Sequence, residues 1–95
     1  MRRQARVDAN QPAVVEALRR IGAAVTPLHT VGKGVADLLV SYRQAWTVME
    51  VKDGTLPPSK RTLTDLERSW IAQQHALVFI VTSPLEAIDV IRRVR

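Results

Sequence analysis

Ala45-Trp46-Thr47-Val48-Met49-Glu50-Val51-Lys52-Asp53-Gly54 is the stretch that decides the fold. Its residues 45–52 are dense in Trp, Thr and Val and too few for a helix, so they read as a strand. Side chains alternate along a strand, which puts Glu50 and Lys52 on one face and Val51 on the other. Trp46, Val48 and Met49 are expected to be largely buried. An acid and an ammonium at the end of such a strand need compensating partners, because unpaired buried charge is expensive.

Working upstream, Ser41-Tyr42-Arg43-Gln44 is a polar turn, and Ala36-Asp37-Leu38-Leu39-Val40 is a second strand. Val31-Gly32-Lys33-Gly34 is another turn. Residues 23–29 form a first strand that Pro27 confines to an edge or a bulge. Short connections make the three an antiparallel meander. The start of one strand then lies beside the end of the next, which carries Asp37 toward Glu50 and Lys52. Before the strands, Val14, Val15, Leu18 and Ile21 recur at helical spacing. Asn10 is placed as the N-cap of that helix, Pro12 in its first turn and Gly22 just past its end.

Downstream, residues 53–60 are a loop by composition. A helix over 64–74 opens on the capping box Thr64…Glu67 and carries Leu66, Trp70 and Ile71 as a core stripe. Residues 76–82 are almost wholly apolar, as expected of a strand covered on both faces. Ser83-Pro84-Leu85-Glu86 is a second capping box with proline at N1, opening a helix through Ile88 and Ile91. The order is α-β-β-β-α-β-α. The helix before the fourth strand makes that connection a crossover, so this strand runs parallel to a neighbour. The fold class is α/β, with a mixed four-stranded sheet flanked by helices. Residues 1–95 make one domain, with an expected radius of gyration of roughly 12 Å.

Composition narrows the chemistry. The chain is 46 % hydrophobic and 24 % charged, as in ordinary folded proteins, and has no cysteine. Disulfide scaffolds, thiolate zinc sites and cysteine nucleophiles are excluded. No apolar run approaches the roughly 18 residues of a membrane span. The basic start Met1-Arg2-Arg3 has no apolar segment behind it, so no secretory signal is read and the cytoplasm is the expected compartment. The net charge of +5 points to an anionic partner such as nucleic acid. Yet Arg2, Arg3, Arg6, Arg92, Arg93 and Arg95 carry it; the rest has eight basic residues against nine acidic.

Two carboxylates, Asp37 and Glu50, meeting beside the Val51 carbonyl form an all-oxygen ligand set. Mg²⁺ takes one or two carboxylates, keeps several waters and accepts phosphate oxygens. A metal so held polarises a phosphate and acidifies a bound water, and a lysine beside it stabilises the hydroxide. The spacing suits metal-assisted phosphodiester hydrolysis. The same residues also fit a structural ion pair, with Asp37 capping the turn after Gly34.

These residues carry a resemblance. Gly34-Val35-Ala36-Asp37-Leu38-Leu39-Val40 and Val48-Met49-Glu50-Val51-Lys52-Asp53-Gly54 resemble the core of the PD-(D/E)XK nuclease superfamily. Within it the chain is similar to the small stand-alone VRR-NUC type found in bacteriophages and related to Holliday-junction resolvases. The likeness extends to residues 6–11, Pro57-Pro58-Ser59, Leu63-Thr64 and Val81-Thr82-Ser83. It implies a restriction-endonuclease-like core and a Mg²⁺- or Mn²⁺-dependent, structure-selective DNA endonuclease acting on branched DNA such as four-way junctions or flaps. Asp37 and Glu50 would be metal ligands with the Val51 carbonyl, and Lys52 the catalytic lysine. Ala36 stands where the family has its proline. Glu16 matches an acid that some members place near the metal, and equally reads as a solvated helix residue. Glu67 falls near where many members carry a glutamine. Stand-alone members are thought of as homodimers, and one unit of this size covers one scissile phosphate, so cutting two strands needs a second copy.

Lys33, Lys60 and Arg61 are candidates for DNA phosphates, and each also reads as a solvated loop charge. Gly32-Lys33-Gly34 lacks the spacing of a P-loop. His29 and His75 lack metal-ligand spacing, and Trp46 and Trp70 are expected in the core. Two other readings stay open: a non-catalytic DNA-binding module of the same fold, and a small interaction protein.

Overall fold

Pro12 and the apolar spacing behind it start the first helix where expected. The computed structural model describes residues 7–94 and places α1 at Gln11–Arg20, with Gln11, Val14 and Leu18 as its buried face. Gly22, at a φ of +101°, turns the chain out of the helix, a conformation that suits a residue without Cβ. Asn10 does not cap α1 through its side chain. Its amide donates instead to the carbonyls of Lys52 at 3.0 Å and Thr82 at 3.1 Å.

The meander follows as β1 (Ala24–Pro27), β2 (Leu38–Tyr42) and β3 (Ala45–Val51), with both pairings antiparallel. The turn between β2 and β3 is tighter than the polar tetrapeptide suggests. Ser41 and Tyr42 still pair, with Trp46 and Ala45. Only Arg43 and Gln44 turn, at φ of 50° and 70°, positive at both central positions as in a type I′ two-residue hairpin. A single 3-10 turn, Pro58–Lys60, precedes α2 (Asp65–Ala72), β4 (Val78–Val81) and α3 (Pro84–Arg93). The sheet order is β1-β2-β3-β4, with β4 parallel to β3. The expected α-β-β-β-α-β-α order and mixed sheet are present.

Helix ends follow their capping chemistry. Thr64 and Glu67 form the reciprocal box at α2. At α3 the box is half made: Ser83 Oγ accepts the Glu86 N–H at 3.1 Å, while Glu86 Oε1 accepts the N–H of Thr82 at 2.6 Å rather than that of Ser83. Arg92 and Arg93 lie in the last turn of α3, where cations suit the helix dipole, and Arg93 pairs with Asp89. Arg2, Arg3, Arg6 and Arg95 lie outside the described residues.

One face of the sheet holds the core. Leu38 and Val40 of β2, Met49 and Val51 of β3 and Val81 of β4 pack with Val14 and Leu18 of α1 and Ala87 and Ile91 of α3. Burying each such large side chain is worth about 1.5–3 kcal/mol. On the side of the opposite face α2 reaches Lys52, just past β3, through Glu67, and none of its residues is buried. Three expectations change as a result. Trp46 is 69 % exposed rather than in the core. Leu66 is exposed too, with Trp70 only half-buried, so α2 has no core stripe. And β4 is an edge strand covered on one face, with Val81 buried and Ile80 open. The cause is common: two of the three helices share one side. The radius of gyration is 12.9 Å, close to the expected value. Among the described residues no helix is long and apolar enough to cross a membrane.

Candidate active site

The register builds the site. Leu38 faces Met49 across β2 and β3, so one step outward Asp37, just ahead of β2, faces Glu50. The Asp37 carbonyl accepts the Leu28 N–H at 2.7 Å, and its Oδ2 accepts the Val51 N–H at 2.7 Å. The N–H and C=O of one strand residue point to the same edge, so the Val51 carbonyl is turned toward Asp37 as well. The Val51 side chain, meanwhile, lies in the core.

The turn that delivers Asp37 runs through Gly32, Lys33 and Gly34, all at positive φ. Gly34 does more than turn. A Cβ added there would lie 2.2 Å from the Leu66 carbonyl oxygen, so only glycine lets this turn lie against the first turn of α2.

Glu50 is 1 % exposed, and its Oε1 has no hydrogen-bond partner. Burial, reinforced by the neighbouring Asp37 and Glu67 carboxylates, pushes its pKa up to about 9. Burial also raises Asp37, against the opposing hydrogen bonds from the Val51 N–H and Glu50. Lys52 is 8 % exposed. Its Nζ lies 2.7 Å from Glu67 Oε1 and 3.6 Å from Glu50 Oε2. Burial disfavours the ammonium, but Glu67 and then Glu50 outweigh it and hold the lysine above its ordinary value. Burial likewise opposes the Glu67 charge. Lys52 and the Thr64 N–H prevail, and its pKa falls.

Asp37, Glu50, Val51 and Lys52 are therefore brought together. Glu16 is not among them: its carboxylate pairs with Arg20 on the exposed side of α1. The inward stripe of that helix is Gln11, Val14 and Leu18, and Glu16 lies off it. It lines a separate groove of about 730 Å³ with Arg19, Arg20 and His29. Lys33 and Lys60 are exposed and Arg61 half-buried, and none makes an ion pair with a described residue. Sequence reasoning left three participants without a role at the site. Glu67 had a sufficient explanation as a cap, and Asn10 likewise. Asp8, whose charge is felt at Asp37 and Lys52, lies in the 6–11 stretch of the resemblance, which gives it no role.

The donor set suits a hard divalent cation held by few protein ligands. Among the described residues no group of three or more His, Cys, Asp or Glu side chains is gathered as for a metal ion. Two carboxylates and a carbonyl are what remain, and Mg²⁺ commonly fills its other positions with water and phosphate oxygens. The unpartnered Oε1 of a buried glutamate is the observation that fits such an ion, since buried polar atoms are ordinarily satisfied. Compared with models of known protein families, with curated proteins and with solved structures, the chain finds no match.

Proposed function

We propose that the protein is a metal-dependent DNA endonuclease of the PD-(D/E)XK type, selective for branched DNA. The observation that carries this reading is the Asp37–Glu50 pair: two facing carboxylates, one of them buried with an oxygen left unpartnered, beside a buried ammonium. An ion pair kept only for stability would gain by pairing that oxygen.

Asp37, Glu50 and the Val51 carbonyl would hold Mg²⁺ or Mn²⁺. Such an ion, when bound, activates a water and offsets charge on the phosphate. The chain's own contributions are orientation and charge. The Val51 N–H fixes the Asp37 carboxylate. Lys52, held above its ordinary pKa, stays an ammonium at neutral pH. It serves as donor and counter-charge to the attacking oxygen or the phosphate, and is not a proton acceptor. The exposed Lys33 and Lys60, with Arg61, are proposed phosphate contacts. Two copies of the chain would supply the two cuts a junction needs, and the cytoplasm is the proposed compartment.

The test is a cleavage panel over duplex, flap, four-way junction and single-stranded DNA, with Mg²⁺, Mn²⁺ or EDTA. Branched substrates are expected to be cut only with a divalent ion. Asp37→Ala, Glu50→Ala and Lys52→Ala are each expected to lower the rate at least about 100-fold, as loss of a principal catalytic interaction does. Full cleavage by purified Glu50→Ala would overturn the proposal. Metal-independent DNA binding without cleavage would favour a non-catalytic module.

A further inference from the structure

Lys52 has two acids within reach and uses them unequally. Its ammonium lies 2.7 Å from Glu67 and 3.6 Å from Glu50. Glu50, the more deeply buried acid, is left with an unpartnered oxygen while the half-buried Glu67 takes the lysine. We propose that Glu67 is a positioning residue: it holds the Lys52 ammonium off Glu50 and so keeps Glu50 open to a divalent cation. This rests on the nuclease reading above and deepens it.

The geometry of Glu67 suits the role. One oxygen, Oε1, accepts both the Thr64 N–H at 2.9 Å and the Lys52 ammonium at 2.7 Å. Thr64 Oγ1 in turn accepts the Glu67 N–H at 3.1 Å. The carboxylate is thereby fixed at the N-terminus of α2, an element separate from the strand that carries Lys52. That turn of α2 is itself seated against Gly34, with no room for a Cβ between them. A rigid corner thus grips a flexible side chain. Lysine is a point charge on a four-carbon stem with freely rotating donors. Released from Glu67, it has Glu50 as its nearest acid, and the ionised Glu50 that a cation requires would draw it in, strongly so in a poorly solvated site. Lysine and cation would then compete for one carboxylate. A capping box alone does not account for this arrangement, because a cap needs no contact with a buried ammonium fifteen residues away.

The test separates positioning from capping and from simple charge. Glu67→Asp keeps the charge and shortens the reach; Glu67→Gln keeps the reach and the cap. Each is made alone and with Lys52→Met. Mn²⁺ binding to the metal-free proteins is measured by calorimetry, and single-turnover cleavage of a four-way junction separately. Glu67→Asp is expected to weaken Mn²⁺ binding and slow cleavage by roughly 10-fold or more, as for loss of a group orienting a metal ligand, with the KM for DNA little changed. With Lys52→Met present, the same substitution is expected to change Mn²⁺ affinity less than about twofold, since no lysine remains to divert. Glu67→Gln, which keeps the acceptor of the capping box and is expected to melt near the wild type, is expected to show the same dependence on Lys52 on top of a charge effect common to both backgrounds.

An effect of equal size with and without Lys52 would overturn the inference, as would no effect on Mn²⁺ binding, or no Mn²⁺ binding by the wild type. Coupled Mn²⁺ binding without DNA cleavage would uphold the role of Glu67 and remove the nuclease reading. Metal-dependent cleavage without the coupling would do the reverse.

Discussion

Glu50 shows how one side chain sets a pH response. Its pKa in the folded chain is pushed up to about 9 from an ordinary 4.5. Above about pH 4.5 the unfolded chain releases this proton and the folded chain keeps it. The group's contribution to stability is thus whole below pH 4.5 and lost as pH rises toward about 9. The divalent cation proposed for this site would have to displace the proton, so its binding at neutral pH would release one. The metal-free protein is expected to lose thermal stability from about pH 5 to about pH 9 through this group. Glu50→Gln should flatten that decline and abolish the rise in Tm expected of the wild type with Mn²⁺. Melting curves over this range, with EDTA or Mn²⁺, check it; a Glu50→Gln profile as steep as the wild type's would place the pH dependence elsewhere. The trio Asp37, Glu50 and Lys52 is readable in the sequence because strand alternation and a tight meander leave few other arrangements. The grip of Glu67 on Lys52 is not, because Thr64 three residues before Glu67 supplies a complete local reason for a glutamate.

Among the elements, the union of the turn before β2 with the start of α2 controls the site's shape. It depends on Gly34, which has a φ of +82° and meets the Leu66 backbone, whereas Gly22, at +101°, faces open space. Gly22→Ala is expected to cost roughly 1–2 kcal/mol, the left-handed backbone alone. Gly34→Ala adds a backbone clash and is expected to cost roughly 3 kcal/mol or more, in the range of severe core lesions. Urea denaturation of the two variants compares them, and equal losses would mean that contact with α2 contributes nothing. Element order and strand direction follow from period-two and period-3.6 patterning with short connections. Element ends are less readable: Ser41 and Tyr42 are polar enough to suggest a turn, yet the strand pairing of the hairpin continues through them.

On the scale of the whole molecule, hydropathy does not say how helices divide between the faces of a sheet. Trp46 and Ile80 carry apolar side chains that a second helix on their face would bury. With α1 and α3 on the other side, they remain exposed. The apolar core was readable in Val14, Leu18 and Met49, while the open face was not. The amide of Asn10 is what joins the layers at the site's end, reaching β3 through Lys52 and the end of β4 through Thr82. Nearby, the N–H of Lys52 bonds to Val81 at 2.9 Å and that of Gly54 to Thr82 at 3.1 Å. The start of α1 and both strand ends are therefore expected to open together, as one cooperative unit of native-state fluctuation. In hydrogen exchange, the amides of Lys52 and Gly54 should be as protected as those of Val14 and Leu18. In Asn10→Ala they should exchange about tenfold faster or more, for the loss of two hydrogen bonds, with the helix amides nearly unchanged. The site's floor then owes its persistence in time to a residue that touches none of the side chains proposed to act there.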